Sequence, residues 1–437
     1  MLTPNAQFSL RDQGVSNALA LDTLPRHRWY FMKEGFSPKL VEQAVATDGV
    51  QSHQILLDPF SGSGTVPLTG ALGGLQTRAF EVNPFLCFLS TTKLLQAPPS
   101  TFRAASHKLL SALKKPKISP LERYSTFAEG NRWDRWLFPL PVLRSFEAGR
   151  RALVETDATS RNLLFLALLG AAMDCCNAMR DGKCLRYNKD WQNHQATASK
   201  FREMFESRVE VIAADLAAAP LDGSTSSVIG GDARQLLAAP SREKFRLCVT
   251  SPPYLNSFDY SDIYRPELFL GGFVDTNEAL RKVRLTTVRS HVQASWDPPK
   301  KDNFGTLYRT CITKIREYTE SLWDPRIPKM VQAYFEDMEG ILRGLRSRAD
   351  PNASVWLVVS TSAYAGVEVP VDLILAEIGQ RTGWFLREVG VLRYLRSSGQ
   401  HMNHVNDDDR KSIPLRESVI ILDASRRSRS GSRAVKT

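Results

Sequence analysis

The stretch Leu56-Leu57-Asp58-Pro59-Phe60-Ser61-Gly62-Ser63-Gly64-Thr65 decides how this chain folds. An apolar run reaches an acid, turns through two glycines, and opens into the helical pattern Pro67 to Leu75. Glycines at such a turn permit a tight bend and close approach of backbone to a ligand. The next apolar run, Ala79 to Val82, contains Glu81, 23 residues after Asp58. An acid at the end of the second strand can accept hydrogen bonds from both hydroxyls of a ribose. No Lys-Ser or Lys-Thr follows the glycines, so a phosphate-cradling loop of the Walker type is excluded. The third glycine of a dinucleotide fingerprint is also absent. A nucleoside without phosphates fits this turn better.

Working outward, further short apolar runs read as buried strands: Ile55 to Phe60, Ser227 to Gly230, Leu247 to Thr250 and Val355 to Ser360. Helical patterns such as Met330 to Arg348 separate most of them. This alternation predicts an α/β chain with a doubly wound sheet. Two last runs, Phe385 to Tyr394 and Ser418 to Leu422, have only the polar stretch 397–412 between them. They are expected to pair as an antiparallel hairpin. Two segments exceed the minimal alternation, 97–225 and about 260–330, and both are rich in basic and aromatic residues. Insertions of that length are usually functional or separately folded. The expected organisation is therefore a core of 1–96 and 226–425, a helical insertion at 97–225, and a basic disordered tail at 426–437.

At 437 residues with 43% hydrophobic residues, the chain is long enough for one large domain with insertions or for two domains. No run of 18 apolar residues is present, so no membrane partner is expected. The longest apolar run, about Leu163 to Met173, reads as a buried helix. The first residues lack the basic-then-apolar pattern of a secretory signal. Six cysteines without CxxC or Cys/His zinc spacing argue for core thiols, no metal, and a cytoplasmic location. A net charge of +11 is compatible with a polyanionic partner.

A second motif, Ser251-Pro252-Pro253-Tyr254, follows the strand Leu247 to Thr250. Ligands of open α/β sheets bind at that carboxyl edge. Two prolines stiffen the backbone and remove two N–H donors, leaving carbonyl acceptors. An acceptor carbonyl beside a hydroxyl suits an –NH2 group, and a tyrosine ring suits stacking on a base held outside the helix. Read alone, the tetrapeptide is also consistent with a proline turn that ends the strand.

Together the two motifs resemble the amino-methyltransferase family of DNA methylases, which act on N4 of cytosine or N6 of adenine. The resemblance is carried by Asp58 to Thr65 and by Ser251 to Tyr254, with the cofactor half first. It implies a seven-stranded, Rossmann-like methyltransferase sheet with S-adenosylmethionine as cofactor. The cofactor-binding residues it implies are Asp58, Phe60, Ser61, Gly62, Ser63, Gly64 and Thr65, Glu81 and Asn83 in EVNP, and Asp232 in GGDA, facing the adenine amine. Lys33 joins them from the stretch 27–41, similar to the element that closes over the methionine end. Gly62 and Gly64 are expected to leave no room for side chains beside the cofactor. The implied catalytic residues are Ser251, Pro252, Pro253 and Tyr254. Serine before Pro-Pro-Tyr is commoner among cytosine-N4 enzymes, with adenine N6 as the alternative. DNA is the implied partner, and restriction or defence-system components are candidate companions.

An aromatic amine is a poor nucleophile because its lone pair is delocalised. Ser251 and the Pro252 carbonyl are expected to accept its two hydrogens while Tyr254 stacks on the base. Cys248, inside an apolar strand, reads as core. For His291, Lys183 and Arg186 a packing or solvated role and a phosphate contact both stay open. A methyltransferase of RNA or of a protein amide, and a non-catalytic nucleic-acid-binding subunit, are the competing classes.

Overall fold

The computed structural model describes residues 2–8, 18–32, 35, 37–130, 133–181, 184–221, 225–395 and 415–426. Lys33, Lys183, the polar stretch 397–412 and the tail beyond Arg426 lie outside the described residues. Eleven strands are described in chain order: β1 Ile55–Asp58, β2 Gln76–Glu81, β3 Ala178–Asp181, β4 Cys184–Tyr187, β5 Ser226–Gly230, β6 Phe245–Thr250, β7 Ala349–Ser360, β8 Ser362–Tyr364, β9 Val367–Val369, β10 Phe385–Leu395 and β11 Leu415–Asp423.

Seven of them form one sheet in the order β10-β11-β7-β6-β1-β2-β5. The five strands from β7 to β5 pair in parallel. β11 runs antiparallel to both β7 and β10, so the expected closing hairpin is present. The chain passes from β1 outward through β2 to β5, then returns to the other flank of β1 as β6. The order therefore reverses between β1 and β6, and the loops leaving these two strands stand side by side at one sheet edge.

Side chains alternate between the two faces of the sheet, as the pleat requires. Leu57, Cys248, Val355, Leu357, Val359, Ile420 and Leu422 pack in one apolar cluster with the helices Ile327–Ser347 and Val371–Arg381. Leu56, Leu247, Val249, Trp356, Val358, Val419 and Ile421 pack in another with residues of the helices Pro38–Asp48 and Thr65–Leu72. Cys248 is a buried core thiol, as read from the sequence.

The segment 97–225 contributes the helices Pro99–Leu113, Leu140–Ala152, Ala158–Asp174 and Ala198–Ala218, with the small hairpin of β3 and β4. The run around Leu163 is a buried helix, as expected. Its apolar side chains share one continuous cluster with Phe85 and Leu89 of the helix Pro84–Lys93 and with Tyr264 to Leu270 of the second insertion. Asp215 joins this layer to the chain ahead of β1. It accepts from the Arg26 amide at 2.8 Å, the Trp29 indole at 3.0 Å and the Arg28 guanidinium at 2.6 Å.

On the opposite flank Arg387 of β10 is held between two buried carboxylates. Its guanidinium reaches Asp48 at 2.8 Å, Asp423 at 2.9 Å and the Ser354 hydroxyl at 2.9 Å. Asp48 also accepts from the Trp356 indole at 2.7 Å. Removing the cation leaves both carboxylates buried and uncompensated, which costs ~3–5 kcal/mol. Arg387→Met is thus expected to lower urea-unfolding stability by that amount, with partial recovery when Asp48→Asn is added.

Candidate active site

The loop after β1 is shaped from behind by Asp58. Its carboxylate accepts from the Phe60 amide at 3.0 Å and from the Thr250 hydroxyl at 2.6 Å, so the last residues of β1 and β6 are tied together. Burial pushes the Asp58 carboxyl up to about 7, against the pull of these two bonds. Gly62 and Gly64 take positive φ angles of 51° and 84°. Gly64 then caps the helix Thr65–Leu72 in the left-handed conformation.

Glu81, at the end of β2, faces this turn. It accepts from the Gly62 amide at 2.7 Å and from the Asn83 amide at 2.8 Å. Burial pushes its carboxyl up to about 7, with the backbone bonds opposing. The Asn83 side-chain carbonyl caps the helix Pro84–Lys93, accepting from Phe85 and Leu86. Proline at the first helical position completes that start. The Asn83 amide nitrogen is buried and makes no hydrogen bond among the described residues. Asp232 caps the helix Ala233–Ala238 while Arg234 forks onto its carboxylate at 2.8 and 3.0 Å.

The strand β6 delivers Ser251 to Tyr254 beside this turn. The Tyr254 hydroxyl donates to Glu417 of β11 at 2.8 Å, and Arg393 of β10 forks onto the same carboxylate at 2.9 and 3.1 Å. Burial raises the Tyr254 phenol well above its usual value, and the Glu417 charge adds to the effect.

One cavity of about 360 Å³ is lined by both motifs. Phe60, Ser61, Gly62, Ser63, Thr65, Glu81, Asn83 and Asp232 lie on its wall, and so do all four residues Ser251 to Tyr254. Met32 and Gly35 represent the stretch 27–41 there. Asp58 and Gly64 are not among the lining residues, so their place is behind the turn. For Gly64 the expected reason for glycine changes. A Cβ there would sit 2.6 Å from the Ser90 hydroxyl, so the space is taken by the helix Pro84–Lys93 and not by a ligand. At Gly62 no atom stands within 4 Å of an added Cβ.

The wall chemistry fits an adenosyl group. A carboxylate backed by two amides suits a ribose diol, the unpaired Asn83 amide offers a further donor, and Val82 and Leu86 supply apolar surface. Sequence reasoning missed Glu417 and Arg393, which lie 163 and 139 residues from Tyr254. It also left His291 open, and the second insertion brings that residue into the cavity. No spacing rule connects these positions to the motifs.

The sheet order and this shared cavity define a Rossmann-like α/β fold with its binding cavity at the switch point. A family model, UPF0020 (RMKL-like, methyltransferase domain), matches residues 25–122. Type II methyltransferase M.AvaI of Nostoc sp. is 22% identical over 396 residues, covering 84% of this chain and 81% of that protein. Type II methyltransferase M.BsoBI of Geobacillus stearothermophilus is 22% identical over 445 residues, covering 90% and 85%. The solved structure of the rRNA methyltransferase aviRa from Streptomyces viridochromogenes aligns with a TM-score of 0.30 at 11% identity, covering 89% of this chain and 86% of that one. That likeness is too slight to bear on fold or function. The sequence matches are to methyltransferases, a similarity that implies S-adenosylmethionine as the methyl donor.

Two outcomes follow for the cofactor turn. An ionised Glu81 accepts from ribose hydroxyls better than a protonated one. S-adenosylmethionine affinity by calorimetry is therefore expected to strengthen as pH rises through about 7 and to level off above it. Glu81→Gln should bind more weakly by ~1.5–3 kcal/mol and lose most of that slope. The stability linkage has the opposite sign. The carboxyl is raised from 4.5 in the folded state, so its cost to folding grows between pH 4.5 and about 7 and is constant above. Gly64→Ala should lower the unfolding temperature of the free protein, equivalent to ~1–3 kcal/mol. Ser90→Ala in the same chain should restore part of it.

Proposed function

We propose that this protein is a DNA methyltransferase that modifies the exocyclic amine of a base, N4 of cytosine, as the methylating member of a restriction-modification pair. The observation that carries this reading is the single cavity lined both by Glu81, Asn83 and Asp232 and by Ser251 to Tyr254. The two Type II relatives span most of this chain and support a DNA substrate. Serine at the first position of the tetrapeptide supports cytosine N4 over adenine N6.

Bound against Glu81, Asn83 and Asp232, the cofactor supplies an electrophilic methyl group on a sulfonium. The Ser251 hydroxyl and the Pro252 carbonyl accept the two amine hydrogens, which localises the nitrogen lone pair. Positioning of this kind supplies much of a transfer rate. The Tyr254 hydroxyl, near Ser251, donates to Glu417 at 2.8 Å. That bond anchors the Tyr254 ring, whose face stacks on the extruded base. The segment 97–225, with its basic and aromatic side chains, is the part of the chain that we assign to the duplex.

The test is to incubate the protein with labelled S-adenosylmethionine and unmethylated genomic DNA, digest to nucleosides and identify the product by mass. N4-methyldeoxycytidine is expected. N6-methyldeoxyadenosine would move the reading to adenine, and 5-methyldeoxycytidine would overturn the mechanism. Ser251→Ala should slow transfer by about a hundredfold while cofactor affinity stays unchanged.

A further inference from the structure

The second insertion brings to the cavity wall a histidine with the Gln293 side chain as a polar neighbour. His291 is 2% exposed and lies on the cavity wall, yet among the described residues neither ring nitrogen makes a hydrogen bond of good geometry. Leaving two buried polar atoms poorly paired is costly, and such groups in native proteins call for an explanation. The ring is also held in place. The Trp296 indole donates to the His291 carbonyl at 2.9 Å and meets the imidazole edge-on at 5.0 Å. On either side, Ser290 accepts from the Ser257 amide at 3.1 Å and the Val292 amide donates to the Ser257 hydroxyl at 3.3 Å. Ser257 lies three residues after Tyr254 and has a positive φ of 60°. The turn that follows the tetrapeptide therefore sets where His291 stands.

The setting disfavours the charged imidazole. Burial lowers its pKa, against the pull of the Asp259 carboxylate, and the Arg284 cation adds to the lowering. The Gln293 side chain, which donates to the Ser257 carbonyl at 3.4 Å, also meets the imidazole and favours its charged form. A neutral imidazole presents one N–H donor and one bare nitrogen. The base edge offers the complement. Beside the amine claimed by Ser251 and Pro252 lies a ring nitrogen that only accepts, N3 in cytosine.

Resting on the reading of this site as an amino-methyltransferase, we infer that His291 donates its ring N–H to the nitrogen adjacent to the target amine and so selects an aminated base over one with a ring N–H there. The same contact fixes the base in rotation about the axis through the stacked Tyr254 ring, which stacking alone leaves free.

The experiment compares initial rates of the full-length protein and of His291→Ala on two DNAs, one ordinary and one amplified with 3-deazadeoxycytidine triphosphate, in which N3 is a C–H. If the product on ordinary DNA is N6-methyldeoxyadenosine, 1-deazadeoxyadenosine takes that place. Calorimetry with S-adenosylmethionine checks that the variant is folded, with affinity expected within about twofold of the parent. The parent should slow about ten- to a hundredfold on the deaza DNA, as expected for one lost hydrogen bond in a buried site. His291→Ala should slow as much on ordinary DNA and lose nothing more on deaza DNA, because both changes delete the same bond. His291→Asn, which keeps a donor, should recover part of the rate. Full activity in His291→Ala, or losses that multiply independently, would overturn the inference. Should His291→Ala fail to bind the cofactor, the parent alone decides: equal rates on both DNAs sink the contact, and a slowed rate on deaza DNA supports it. A parent that methylates no base overturns the reading of the site itself, an outcome distinct from all of these.

Discussion

The buried hydrogen bond between Asp58 and Thr250 is the constraint on which the site depends. It joins the ends of two adjacent parallel strands that are 192 residues apart in the chain. Each strand opens into one of the two motifs. With β1 and β6 held end to end, the glycine turn and the Ser-Pro-Pro-Tyr segment cannot drift apart, and a single cavity forms between them. Asp58 sits at 1% exposure, where an unpaired carboxylate would be expensive. Its Oδ1 accepts from both the Thr250 hydroxyl and the Phe60 amide, so the bond that joins the strands also shapes the first step of the turn.

The rest of the chain approaches this edge from three directions, each anchored by a carboxylate. Asp215, on the helix Ala198–Ala218, gathers Arg26, Arg28 and Trp29, and so fixes the chain leading to Met32 at the cavity. Glu417, on the closing hairpin, is clamped by Arg393 and receives the Tyr254 hydroxyl. Asp337, on the helix Ile327–Ser347, binds Arg234 beside Asp232 and Arg289 beside His291. In each case a fixed negative charge organises arginines whose planar forks define direction as well as distance. The insertions are thus built into the site, and the one at 97–225 shares its apolar cluster with the helix that follows Glu81.

Much of the sheet was legible. All seven apolar runs read from the sequence became strands of the main sheet; the inner ones are buried on two faces and so apolar nearly throughout, while the edge strand β5 is not buried. The boundaries were less visible. β7 begins at Ala349, six residues before the apolar run Val355 to Ser360, through the polar stretch Asp350-Pro351-Asn352. Those residues fall in the register shift between the Ala349 and Ser354 pairings, an irregularity that hydropathy does not record. The hairpins β3–β4 and β8–β9 went unread for a related reason: each is only three or four residues per strand. Gly64 was read with the right residue and the wrong neighbour, since what it avoids is Ser90 on a helix 26 residues away.

By itself, then, the sequence determined the α/β alternation, the glycine turn after β1, the acid at the end of β2, and the rigid acceptor tetrapeptide after β6. These are local: each depends on residue types at short spacing, and backbone stereochemistry translates them directly. Only the tertiary structure decided that Asp58 joins strands, that Glu417 and Arg393 hold Tyr254, and that His291 reaches the cavity wall. Those relations cross from tens to nearly two hundred residues. They arise where the strand order reverses, and no periodicity along the chain records which distant loops a folded sheet will bring to the same edge.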